Sequence, residues 1–280
     1  MKITNHFKRM LRDQGSLQQV VSSILRHPWK YLVINLFNRD FILRRRINGV
    51  ELKLAIRSWF EFTIRSEFYQ REQELIDHID TFETDEVFYD IGANVGTFSL
   101  YAAIHHAGCQ VYAFEPNSFA YARLVYNVWL NGCNNVHTLP VALYNESRYA
   151  RLNIPHREEG TAGSQFDDFR FKQKQLNEEI YQGTLGYTAD RLVHDFSLPL
   201  PTRIKIDVDG HELKVLQGMP EILDSPALQS VFIEINSRNE NGKNVIELLA
   251  RHGFVLKQAY GKNLGDCNHL FERGAGTVTT

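Results

Sequence analysis

The chain has 280 residues, of which 43 % are hydrophobic and 23 % charged, the make-up of an ordinary globular protein built as one large domain or as one domain with an extension. Its net charge of −2 gives no reason to expect nucleic acid as a partner, and no apolar run approaches the ~20 residues that a membrane-spanning helix needs. Cys109, Cys133 and Cys267 are odd in number and lack metal-ligand spacing, so a reduced, cytoplasmic setting is expected; Met1 to Leu11 shows no signal-peptide pattern.

Residues 1–46 are more basic than the rest, with only Asp13 and Asp40 set against their lysines and arginines. Leu17, Val20, Val21, Ile24 and Leu25 share one helical face, and Trp29, Leu32, Val33, Leu36 and Phe37 repeat the spacing after Pro28. This reads as a helical cap packed on the main domain, or as a basic amphipathic surface that touches anionic lipid or another enzyme. Phe41 to Ile56 has the pattern of a hairpin turned at Asn48-Gly49. The aromatic run Trp59 to Phe68 is expected to pack on the main domain, and Gln70 to Ile79 to form a helix with Leu75, Ile76 and Ile79 inward. The expected division is an extension over residues 1–70, a main domain over 71–274 and a frayed tail over 275–280.

From Val87 onward strands and helices alternate, which implies an α/β fold with a parallel sheet covered by helices on both faces. Strands are expected at Val87–Ile91, Gln110–Phe114, Val136–Val141, Arg203–Val208, Gln229–Ile235, Gly253–Gln258 and Cys267–Glu272. Helices are expected after Gly96, over Ser118–Asn131, from Asp209 to near Gly218, and over Lys243–Arg251. Residues 144–185 are polar and break this rhythm. They read as an insertion over the mouth of the sheet with short strands near Ala150–Ile154, and long loops of this kind are usually functional or disordered.

Three constellations carry chemistry. In the first, Asp90-Ile91-Gly92-Ala93-Asn94-Val95-Gly96 ends a buried strand in a tight turn and opens a helix at Thr97. Gly92 and Gly96 let the backbone turn sharply and approach a ligand, and Asp90 can accept hydrogen bonds from an amine or from loop amides. Asn94 stands where a dinucleotide fingerprint needs glycine. The D-x-G-x-N-x-G pattern resembles the glycine loop of S-adenosylmethionine-dependent methyltransferases. In the second, Glu115 ends the next strand, where a carboxylate can accept both ribose hydroxyls of an adenosine; Pro116 fixes the turn and Asn117 starts the following helix. In the third, period-two alternation puts Lys205 and Asp207 on one face of a central strand, where they are costly unless paired. Asp209 can cap the next helix. His211 is either a general base or an exposed first-turn residue, and Glu234 adds a carboxylate on the neighbouring strand. These carboxylates could hold a divalent cation, but pairing to Lys205 and helix capping also account for them, so no metal is expected.

Taken together, DIGANVG at 90–96, AFEP at 113–116 and IKIDVDGHELKVLQG at 204–218 resemble the FkbM-type S-adenosylmethionine-dependent methyltransferases. The resemblance spans about Glu74 to Arg273. That family often has Glu where this chain has Asp209 and small residues where it has His211, so no catalytic role for His211 carries over. The resemblance implies a class I methyltransferase (Rossmann-like) seven-stranded, mostly parallel sheet with an antiparallel last hairpin strand. It implies methyl transfer to an oxygen of a glycan or of a natural-product-like small molecule. Asp90, Gly92, Asn94, Gly96, Thr97, Glu115, Pro116, Asn117 and Asp207 would hold the donor. Asp207, His211, Lys205 and Glu234 would serve the methyl-transfer end. The alternatives are a nucleotide-dependent oxidoreductase on a similar sheet and an inert binding protein that keeps the fold.

Overall fold

The computed structural model describes residues 40–57, 62, 68–154, 164–166, 180–260 and 267–274. The helical spacings at 17–25 and 29–37, most of the aromatic run 59–68, the stretch 160–163 and the tail 275–280 lie outside the described residues. Phe62 packs against the core, as its aromatic neighbourhood leads one to expect.

The described chain opens with a hairpin, β1 (Phe41–Ile47) and β2 (Val50–Ile56), paired antiparallel from Phe41↔Ile56 to Ile47↔Val50. Asn48 and Gly49 both take positive φ (46° and 87°), the conformation that a two-residue turn between twisted strands requires. Two short helices follow, α1 (Phe68–Arg71) and α2 (Gln73–Ile79), where the sequence reads as one; Glu72 breaks the run at φ −130°, ψ 42°.

The alternating part then begins: β3 (Val87–Ile91), α3 (Thr97–His105), β4 (Gln110–Phe114), α4 (Ser118–Asn131) and β5 (Val136–Leu139). A second, smaller group comes next, with β6 (Ala142–Leu143), β7 (Arg148–Ile154), β8 (Gln165–Phe166) and β9 (Ile180–Tyr187). The chain returns through α5 (Ala189–Phe196), β10 (Arg203–Ile206), α6 (Glu212–Gln217), α7 (Pro220–Asp224), β11 (Ser230–Ile235), α8 (Glu240–Arg251), β12 (Phe254–Ala259) and β13 (Cys267–Arg273).

The large sheet runs β12-β13-β11-β10-β3-β4-β5. Its five strands from β11 to β5 are parallel, while β13 lies antiparallel between β11 and β12. This is the expected class I methyltransferase sheet. Side chains alternate across it. Phe88, Val111 and Ala113 join a core with α2, α3 and the hairpin, whereas Tyr89, Ile91, Phe114, Ile204 and Ile206 join a second core with α6 and α8. The chain steps outward from β3 to β5 and then crosses back to place β10 on the other side of β3. The strand order therefore reverses between β3 and β10, and ligands bind at the carboxyl ends of strands in such a crevice.

Residues 144–185, read from sequence as a polar insertion with short strands near Ala150–Ile154, supply β7 there and also β8 and β9, which with β6 form a sheet of order β6-β9-β7-β8. The strand expected to run to Val141 leaves the large sheet at Leu139, and Ala142 and Leu143 join β9 in the small one.

The hairpin is bolted to α4 by two asparagines. The Asn127 carboxamide accepts from the amide of Ala55 and donates to the carbonyl of Val95, both at 2.9 Å. Asn131 accepts from the Lys53 amide at 2.9 Å and donates to its carbonyl at 2.7 Å. Asn127 is fully buried, so Asn127→Ala leaves two backbone groups without partners. Chemical denaturation should show a loss of about 2–3 kcal/mol. Asn134→Ala, at an exposed site, should stay within about 0.5 kcal/mol of the parent.

Candidate active site

The turn after β3 is held from two sides. The amides of Gly92 and Ala93 both donate to the carbonyl of Phe114 at 3.0 Å, tying the turn to the end of β4. On the other side the Asp207 amide donates to Ile91 O at 3.1 Å. The fit leaves no room for a side chain at Gly92: a Cβ there would lie 1.8 Å from the Asp207 carbonyl oxygen, and its φ of 77° is left-handed. Gly96, at φ 85°, sits just before α3 with its Cα against Leu124 of α4.

Glu115 follows β4 and is buried. One carboxylate oxygen accepts from the Asn94 amide and the other from the Asn117 amide, each at 2.8 Å. Each oxygen keeps acceptor capacity beyond that bond. Burial pushes the Glu115 carboxyl up to about 7; the two amides, and Lys205 farther off, pull the other way. Asn117 caps α4 by accepting from the Phe119 amide.

Behind the turn lies Lys205. Its ammonium donates to Gly92 O at 2.9 Å and pairs with Asp90 at 3.4 Å and Asp207 at 3.3 Å. The expected pairing of Lys205 with Asp207 is therefore made, and Asp90 is a second partner. Burial opposes the charge on Lys205, but the two carboxylates outweigh it and hold the amine protonated, above the ordinary lysine range. Asp90 has no exposed surface; its other oxygen accepts from the Ser99 hydroxyl in the first turns of α3.

The loop from Asp207 to His211 differs from its sequence reading. Asp209 and Gly210 take left-handed φ (53° and 102°), so α6 starts at Glu212. The residue flanking the helix is His211, which makes no side-chain cap. The loop amides are held by the buried Glu212 carboxylate, which accepts from Gly210 N at 3.0 Å and Val208 N at 3.3 Å. Glu212, the first residue of α6, is thus the acid that holds these loop amides.

One cavity opens over these strand ends. The large sheet gives it Gly92, Asn94, Glu115, Pro116, Asp207 and His211. The small sheet and the segment leading to it supply the facing wall, with Leu143, Tyr144, Leu152, Ser164 and Phe166. The Tyr144 ring meets Phe166 edge-on at 5.1 Å and His211 at 5.9 Å. The small sheet is fastened to the Glu115 turn: the Gln182 carboxamide donates to Pro116 O at 2.6 Å and accepts from Ser118 N at 2.8 Å.

Six of the sequence-derived site residues thus share the cavity. Asp90 and Lys205 lie beneath its floor, and Gly96, Thr97 and Asn117 shape the helix starts beside it. Glu234 is half-buried on β11, opposite Asn268, and does not line the cavity. Among the described residues no group of three His, Cys, Asp or Glu side chains could hold a metal ion. The sequence reading put residues 144–185 over the mouth of the sheet but did not single out the residues of this facing wall. Its one legible trace is the alternation Ala150, Leu152, Ile154, which buries one face of β7.

A mostly parallel seven-stranded sheet, a glycine turn after its central strand and a buried carboxylate after the next define the methyltransferase class. The family described as Methyltransferase FkbM domain matches residues 90–256, more than half of the chain, and this protein belongs to that family. Membership decides between the methyltransferase and oxidoreductase readings. Hexuronic acid methyltransferase AglP of Haloferax volcanii is 29 % identical over 174 residues, covering 60 % of this chain and 63 % of that protein, so less than two thirds of the relative is spanned. 31-O-demethyl-FK506 methyltransferase FkbM of Streptomyces tacrolimicus is 27 % identical over 196 residues, covering 61 % of this chain and 73 % of that protein.

Replacing Lys205 by Met strands Asp90 in the interior without a cation. Breaking a buried pair in this way should lower stability by about 3–5 kcal/mol, seen as an earlier unfolding midpoint in urea. A midpoint within error of the parent would show that the network is dispensable.

Proposed function

We propose that this protein transfers a methyl group from S-adenosylmethionine to a hydroxyl oxygen of a sugar or of a similarly hydroxylated natural product. The observation that carries the reading is the placement of the Glu115 carboxylate and the Asp207 carboxylate in one cavity, on either side of the Gly92 turn. The donor set fits. Glu115 is buried, already oriented by two amides, and retains acceptor capacity for a ribose diol, while the Gly92–Asn94 backbone forms the adjoining wall. The names of both relatives point to hydroxylated acceptors, one a hexuronic acid and the other a compound lacking a methyl on an oxygen.

When bound, the donor supplies an electrophilic methyl group on a sulfonium. The rest of the work is positioning, together with a place for the hydroxyl proton. Lys205 holds Asp207 at the cavity floor through its ammonium, which orients the carboxylate. Asp207 therefore orients the hydroxyl, and His211, on the same wall, takes its proton. Tyr144 and Phe166 give the acceptor an aromatic face, of the kind against which the apolar face of a sugar ring packs. Glu234 and Lys205 do not touch the acceptor in this reading. The protein works in the cytoplasm and needs no metal.

The direct test is an acceptor screen with labelled donor, spanning hexuronic acids, neutral hexoses and polyhydroxylated macrocycles. Donor binding with no label transferred to any acceptor would favour an inert binding protein.

Two finer outcomes follow from the site. Ribose hydroxyls donate to the ionised form of Glu115, whose carboxyl sits at about 7. S-adenosylhomocysteine affinity measured by calorimetry should therefore rise with pH between 6 and 8 and level off above that. Glu115→Gln should bind more weakly, and without that pH dependence. A parent that binds equally at all these pH values would remove the ribose assignment. Single-turnover methylation should fall by ~10²-fold in His211→Asn, and Asp207→Asn should also slow turnover. If His211→Asn is as fast as the parent, the proton goes elsewhere.

A further inference from the structure

Helix α4 has two apolar faces. One packs into the core through Ala120 and Leu124. On the opposite side Ala122, Val125, Tyr126 and Trp129 follow at i, i+3, i+4 and i+7, the spacing of a helical stripe. This stripe faces water: Val125 is 41 % exposed and Trp129 71 %. The Tyr126 and Trp129 rings stack at 5.5 Å, which presents one continuous aromatic surface. The sole charged residue of the helix, Arg123, is buried against Asp40 at 3.0 Å, so the outer face of this fourteen-residue helix carries no charge. Surface helices ordinarily present charged residues to solvent.

The neighbours of the stripe are cationic. The hairpin lies along α4, with Asp40 at Arg123 and the Lys53 backbone at Asn131. Its outer face carries Arg44, Arg46 and Lys53 against Glu51, and Phe41 is 61 % exposed at its start. In sequence, residues 1–39 hold seven Lys and Arg against Asp13 alone, in a chain whose total charge is −2.

We propose that the α4 stripe and the adjoining hairpin form a docking face for an anionic lipid surface. Trp129 and Tyr126 would sit at headgroup depth, with Arg44, Arg46 and Lys53 beside the phosphates. Indole and phenol rings, each with an apolar body and a polar edge, favour that boundary, and clustered cations are drawn to an acidic leaflet. A second copy of this chain is disfavoured as the occupant, because a two-fold contact through the stripe would bring the same cations face to face. The inference stands apart from the methyl-transfer reading, since no residue of the stripe lines the cavity.

The test uses the full chain in co-sedimentation with vesicles of phosphatidylcholine alone and of equimolar phosphatidylcholine and phosphatidylserine. Binding is expected to the acidic vesicles only and should weaken as salt is raised. The double variant Val125→Glu/Trp129→Glu should partition about tenfold or more weakly. Its S-adenosylhomocysteine affinity and melting temperature should match the parent, because both positions are exposed and distant from the donor groups. Arg44→Glu/Arg46→Glu should lose the preference for acidic vesicles while keeping the same melting temperature. The proposal is overturned if the parent ignores acidic vesicles or if the stripe variant binds them as well as the parent. It is equally overturned if light scattering shows a parent dimer that the stripe variant splits, which would make the face a protein interface.

Discussion

The Lys205 ammonium lies where three pieces of backbone must meet: the end of β3, the glycine turn and the end of β10. It donates to Gly92 O, faces Asp90 on one strand and Asp207 on the next, and is almost fully enclosed. Taking these charges out of water costs several kcal/mol per ion, so the arrangement persists only because each has a close counter-charge or a hydrogen bond. The cation cannot be replaced by a hydrophobic residue without stranding Asp90, nor can Asp90 be lost without weakening the hold on the turn. Stability and the geometry of the cavity floor thus rest on the same few ångströms. Gly92 completes this constraint, since a Cβ there would strike the Asp207 carbonyl and pry β3 and β10 apart.

The same economy governs the Glu115 turn. The two amides that orient the carboxylate come from Asn94, in the glycine turn, and from Asn117, at the start of α4. The Pro116 carbonyl and the Ser118 amide, on either side of Asn117, are taken by one side chain, Gln182 of β9. The small sheet is therefore not a loose flap over the cavity. It is hydrogen-bonded to the turn that presents the carboxylate, and Asn117 adds a bond to Ser164 at 3.1 Å. A shift of the small sheet would be felt at Glu115, which couples the facing wall to the donor side.

The large sheet was legible because its strands are short apolar runs and its turns contain the residues that tight turns demand. Asn48-Gly49, Gly92, Gly96 and Glu115-Pro116 all fall where their backbone chemistry is used. The polar residues in central strands, Asp90 and Lys205, marked the site because such residues must find partners there. Of the small sheet only β7 was legible, and β9 was hidden for an equally physical reason. In β9 the inward positions are Gln182, Thr184 and Gly186, while Tyr181 and Leu185 point outward. Phe166 packs on Gly186 and Tyr149 lies across Gly183, so large side chains from neighbouring strands replace those β9 lacks. The usual alternation is inverted, and a strand reads as a polar loop. Helices α5 and α7 span eight and five residues, too few for a helical period to stand out. Helix α6 starts later than expected because sequence spacing does not reveal that Asp209 and Gly210 take left-handed conformations.

The cavity's two walls answer to different constraints, and this bears on what can vary among relatives. The donor wall is fixed by the sheet itself: changing Gly92, Glu115 or Lys205 disturbs backbone contacts that the fold needs. The facing wall is attached through a few side-chain bonds, and its lining residues Tyr144, Leu152 and Phe166 come from a connecting loop and two strands outside the large sheet. Those positions can change size and polarity without altering β3, β4 or β10. The two relatives are named for unlike acceptors, a hexuronic acid and 31-O-demethyl-FK506, although each shares more than a quarter of its aligned residues with this chain. If the proposed function holds, a fold that fixes the donor on one wall and leaves the acceptor to the other accommodates that difference without rebuilding the site. In this protein the facing wall is aromatic, with His211 beside it, so acceptor choice should be sought in Tyr144, Phe166 and their neighbours rather than in the glycine turn.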